Sequence, residues 1–177
     1  MNDPETYRAF MLDYAAGNLS ESMAIAAAIH RLMSSHGDQT AQLWASVRAG
    51  LGGAASTDAC RSRKTHLHEE VALDIIGTHF TEVRWQRALS GAQIANLKQG
   101  PGSLMRLQPD DRVFSHGHST LEAMVVMEGA LEDGRGIFET GELVLATPGV
   151  RHRPAAAGNK PCTCFVSRAD TPFWRLT

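Results

Sequence analysis

Cysteine is scarce and oddly numbered in this chain: Cys60, Cys162 and Cys164 are its three. Their spacing builds no disulfide framework, which excludes a cystine-stapled scaffold and fits a reducing compartment. An excess of basic residues is also missing, since 17 Lys and Arg face 19 Asp and Glu, so no strongly basic surface points to nucleic acid. No apolar run is long enough to span a bilayer. The first residues, Met1-Asn2-Asp3-Pro4-Glu5, are acidic where a signal peptide would be basic and then apolar, so a cytoplasmic location is expected. No phosphate-cradling glycine loop and no catalytic triad stand out. What remains is a chain with 43% hydrophobic residues, enough for a real core in one domain or two small ones.

The first fifty residues read as helices. Asp3 is a good N-cap and Pro4 suits the first helical position; Tyr7, Phe10, Met11 and Tyr14 then share a face until Gly17 ends the run. Ser20 caps a second, alanine-rich helix that the pattern stops at His36-Gly37, and Asp38 caps a third carrying Leu43, Trp44 and Val47. Three short amphipathic helices form a small core by themselves, so part of their apolar surface is expected to meet a partner, either the rest of the chain or another protein. Residues 51–82 read as a linker. Gly50, Gly52, Gly53 and Ser56 make it flexible, Arg61, Arg63 and Lys64 make it basic, and one helix is expected within it over Leu67 to Ile76, closed by Gly77.

From Val83 onward, over 83–177, short apolar runs broken by Gly, Pro and Asp argue a β-sandwich or barrel: Val83 to Leu89, Ile94 to Leu97, Ser103 to Leu107, Glu122 to Met127, Gly136 to Phe138, Glu142 to Leu145 and Cys162 to Val166. The fold class is therefore α+β, a short helical domain followed by a barrel. Within the barrel, His116, His118 and Glu122 have matching strand parity if one strand carries all three, and His152 follows the turn signal Thr147-Pro148-Gly149. Three imidazoles and a carboxylate suit one divalent transition metal per chain. Zinc is the first choice, with iron, manganese or nickel as alternatives. No catalytic residue and no organic cofactor site is assigned.

The order His116-x-His118, three residues, Glu122, six residues, Gly129, answered by Gly149-x-x-His152, resembles the two motifs of the cupin superfamily, small metal-binding (RmlC-like) β-barrels. Three motif positions differ. The opening Gly falls on Asp110, the usual Pro on Thr147 with Pro148 beside it, and the trailing Asn on Ala156. These positions shape turns and bind no metal.

Both halves together resemble ChrR-type anti-sigma factors. The resemblance rests on Tyr14-Ala15-Ala16-Gly17-Asn18-Leu19-Ser20-Glu21, the alanine-rich helix ending at His30, the Trp85 strand, the metal motifs and Cys162-Thr163-Cys164. It implies a helical domain over 1–50 that grips an extracytoplasmic-function sigma factor, and a cupin domain that senses oxidative stress or a small ligand. One departure bears on this. Such helical domains hold zinc with an early His and an H-x-x-x-C-x-x-C motif; here His30 matches the motif's His while Ser34 and Gly37 occupy its Cys positions. One imidazole holds no structural zinc, so this domain is expected to rely on packing alone.

Cys162 and Cys164 lie at strand spacing and face the same way, which in a regular strand leaves their Cβ atoms too far apart for an unstrained disulfide. They read either as small apolar lining or as an oxidant-sensitive thiol pair. Two functional classes stand: a regulator with a sigma-factor partner, and a metal-dependent cupin dioxygenase or ligand-binding cupin without one. Pairing of the barrel with a second copy is left open.

Overall fold

The computed structural model describes residues 3–50, 55–98, 100–111 and 113–169, with side chains excepted over 55–62. Among these residues the chain forms four helices and then eleven strands. Helix α1 spans Pro4–Ala16, α2 Glu21–Met33, α3 Ser35–Gly50 and α4 Ala55–Ile76. Asp3 caps α1 as expected, accepting from the Thr6 backbone N–H at 2.8 Å, and Gly17 closes it in the left-handed region at φ 70°. The break after α2 falls at Ser34, whose backbone is extended, and not at His36-Gly37. The fourth helix begins at Ala55 and not at Leu67, so most of the segment read as linker is helical. It packs along α2 through the fully buried Ala72 and Ile75. The glycines that suggested flexibility precede its first turn, and Gly52 and Gly53 lie outside the described residues.

The strands are β1 Gln86–Arg87, β2 Gln93–Asn96, β3 Ser103–Leu107, β4 His116–Gly117, β5 Glu122–Glu128 and β6 Ala130–Glu132. Then follow β7 Ile137–Glu139, β8 Leu143–Ala146, β9 Arg151–His152, β10 Ala155–Ala156 and β11 Cys162–Arg168. Six of them form a sheet in the order β1-β2-β3-β11-β5-β8; β10-β6-β7 and β4-β9 complete the barrel. All pairings are antiparallel.

The large sheet is buried on both faces, which explains why β5 and β8 read as continuous apolar runs and not as alternating ones. Period-two geometry sorts their side chains. On β5, Met124 and Val126 point into the barrel with Val144, Cys162 and Cys164. Ala123, Val125 and Met127 point the other way, together with Leu143, Leu145 and Phe165, and join the helices in one apolar core. Helix α2 lies against this outer face, with Ser22 through His30 all buried. A helix apolar on every side needs cover on every side; α1, α3 and α4 supply it from one direction and the sheet from the other. The apolar surface of α2 therefore meets the rest of its own chain. Leu12, Leu43 and Val47 on α1 and α3 stay exposed.

Candidate metal centre

Two turns of chain bring the four predicted ligands together. Thr147-Pro148-Gly149-Val150 closes with the Val150 N–H on the Thr147 carbonyl at 3.0 Å, and Gly149 has φ 82°. Proline second and a left-handed glycine third is the pattern of a type II turn. The turn delivers β9 antiparallel to β4, with His152 directly opposite His116. The Gly149 N–H also donates to the His118 carbonyl at 3.2 Å, fixing the residue that follows β4. One strand does not carry His116 through Glu122: the chain bends over 118–120, and Glu122 opens β5 on the parity of Met124 and Val126, facing the barrel interior. Glu122 and His152 are 2% exposed.

The ligand atoms converge. His118 Nε2 lies 3.1 Å from Glu122 Oε1 and 3.0 Å from His152 Nε2, and His152 Nε2 is 3.4 Å from the same Oε1. His116, His118 and His152 each present a ligand atom within 4.8 Å of the others. Around a tetrahedral zinc with bonds of about 2.0–2.1 Å, ligand atoms sit roughly 3.3 Å apart, and the separations among His118, Glu122 and His152 match that spacing. Burial pushes the pKa of His118 down and that of His152 down to about 4, against the opposing pull of Glu122. Both rings are thereby neutral at physiological pH, the state a metal requires. His116 Nδ1–H donates to the Phe114 carbonyl at 2.9 Å, which leaves its Nε2 as the free lone pair. The residues present fit a divalent transition metal.

Sequence reasoning missed Arg168. Its Nε–H donates to Glu122 Oε2 at 2.8 Å, leaving Oε1 to face the imidazoles. The one signal available was parity on β11, since Arg168 pairs with Glu122 in the sheet register.

Cys162 and Cys164 are fully buried in the barrel interior, outside the histidine cluster. The strand between them is not regular: the register with β5 shifts between Thr163 and Cys164, and this bulge accompanies a sulfur separation of 3.6 Å. Hydrogen bonding to Cys162, together with burial, pushes the Cys164 thiol pKa well up. The side chain of Cys60 lies outside the described residues.

His30, left over from the altered motif, has both ring nitrogens engaged. Nδ1–H donates to the Gly141 carbonyl at 2.7 Å, and the Tyr7 hydroxyl lies 3.0 Å from Nε2 and donates to it. Gly37 backs onto this ring so closely that a Cβ there would lie 2.8 Å from His30 Cδ2.

Residues 74–172 match the family described as the ChrR cupin-like domain. The chain is 27% identical to anti-sigma-E factor ChrR of Cereibacter sphaeroides over 93% of its own length and 88% of that protein. It is also similar to the solved structure of Rhodobacter sphaeroides SigE in complex with the anti-sigma ChrR, at 26% identity and a TM-score of 0.70, over 92% of this chain and 96% of that one. No helix among the described residues is long and apolar enough to cross a membrane.

Proposed function

Because the chain belongs to the family of ChrR cupin-like domains, we propose that it is an anti-sigma regulator whose helices hold a sigma factor and whose barrel senses oxidative stress or a small ligand. The carrying observation is that the likeness to ChrR in its complex with SigE covers the helical layer as well as the barrel. Leu12, Leu43 and Val47 add exposed apolar surface on α1 and α3, the kind of surface a protein partner covers.

In this reading His116, His118, Glu122 and His152 hold one divalent ion, zinc in first place. Bound zinc supplies a redox-inert crosslink and a Lewis acid. The protein's own residues carry the coupling. Glu122 opens β5, whose other face, Ala123, Val125 and Met127, packs in the core shared with α2. A change at the ligands shifts β5 against α2 and so alters the balance between sigma-holding and sigma-releasing arrangements, provided the two arrangements differ at the site. Cys162 and Cys164 act in the same barrel as a sheltered thiol pair, buried while the barrel is closed and open to oxidants when it loosens.

The test is to co-express the full chain with the extracytoplasmic-function sigma factors of its host and assay both complex formation and transcription. One sigma factor should co-purify and be inhibited, and chelation of the metal should weaken the complex. If none binds or is inhibited, the anti-sigma reading falls.

A further inference from the structure

Beside the metal centre the barrel contains a cavity of about 610 Å³. Ala92, Ile94, Met105, Val113, Met124 and Val166 give it an apolar wall, and His116, Glu122 and Arg168 stand together at one part of its lining. Pockets of this size bury most of a small organic molecule. Charge decides which kind. Imidazoles bind a metal as neutral donors, Glu122 contributes one negative charge, and Arg168 contributes one positive charge in contact with it. A divalent ion on the four ligands then leaves two positive charges uncompensated. Among the described residues lining the cavity, Glu122 is the only acid. Asp133, the other buried acid that acts on His152, is already held by Arg135. Uncompensated charge beside apolar walls is costly, and an anion relieves it. Arg168 is positioned to take part: its Nε–H holds Glu122 while its side chain remains 61% exposed, leaving guanidinium N–H groups for a second carboxylate.

We propose that this cavity is a binding site for a small apolar monocarboxylate, its carboxylate held by Arg168 on the side of the cavity where His116 and Glu122 stand and its hydrocarbon body against Met105, Met124 and Val166. The inference rests on the metal-centre reading given above and supplies the chemical class of its ligand.

Hexanoate, 1-hexanol and acetate separate the contributions of head and tail. The metal-loaded full chain, with its metal content measured on the same sample, is titrated by calorimetry, and a cobalt(II)-substituted sample is titrated by visible absorption. Hexanoate should bind once per chain, at least about tenfold more tightly than 1-hexanol or acetate, because the charge-assisted contacts and the apolar contacts are both required. It should perturb the cobalt bands. Arg168→Gln should weaken hexanoate by about tenfold or more, with Arg168→Lys intermediate, while Val166→Phe should exclude the tail without touching the charged groups. The inference is overturned if a metal-loaded chain shows no hexanoate binding, if 1-hexanol binds equally well, or if the folded variants bind hexanoate as the parent does. If the chain holds no metal, the metal-centre reading fails and this inference fails with it. The sigma-factor assay is read separately and decides neither outcome.

Discussion

His30 on α2 donates its Nδ1–H to the carbonyl of Gly141, 2.7 Å away in the turn between β7 and β8, and so ties the helical layer to the barrel by a buried hydrogen bond. Around it the packing is tight. Gly141 has φ 88°, and a Cβ there would lie 2.6 Å from the Met33 carbonyl. A residue expected to be a remnant of a metal motif is a link between layers.

His30→Phe should therefore destabilise the chain by about 1–3 kcal/mol, the cost of leaving buried polar partners unsatisfied. Gly37→Ala should also destabilise it, since the added methyl meets the His30 ring. The two effects should be non-additive because the sites touch. Urea unfolding of the single and double variants is the measurement, and strict additivity would remove the contact from the account.

The same burial sets a pH dependence. His30, His118 and His152 have pKa values below the ordinary 6.5, each chiefly through burial; His36 reinforces and Glu142 opposes the shift at His30. The unfolded chain takes up protons near pH 6.5 that the folded chain refuses, so stability is full above that pH and falls as the solution is acidified toward about pH 4, the value for His152. Metal-free protein should show a declining urea midpoint from pH 7 to pH 5. A midpoint that rises over this range would contradict the assignment.

One metal ion per chain should survive dialysis of the parent protein. His118→Ala or Glu122→Gln should lose it to a chelator, because affinity depends on the complete ligand set. Elemental analysis reads the result, and full occupancy in either variant would remove that residue from the shell.

Cys162 and Cys164 should resist alkylation in the native, metal-loaded chain and react after unfolding, given their full burial and the raised pKa of Cys164. Mass spectrometry of a timed labelling reaction distinguishes them from Cys60. Rapid native labelling of either would mean that the barrel opens readily.

The histidine order and the turn at 147–150 made the site legible in the sequence, because turn chemistry and ligand type are local. Its assembly was less so. Strand parity aligns His116 with Glu122 only if one strand carries both, whereas a bend and a new strand bring Glu122 in. Arg168 escaped notice because an arginine acquires its role only from the residue opposite it in the register. The helix over 55–76 was concealed by its glycine-rich approach and basic start, while its packing against α2 is a long-range property no local pattern carries. The same limit hid the link made by His30, whose partner lies 111 residues away.

The sandwiched position of α2 has a consequence in time. This helix leaves the ribosome well before the strand that covers it: its cover includes Phe165, and the Ser22 hydroxyl donates to the carbonyl of Arg168, 146 residues further on. Until β11 has been made, that side of an alanine-rich apolar helix therefore lacks its full cover. Long-range closure of this kind is slow, so the helical layer reaches its finished form only after the last strand has been made.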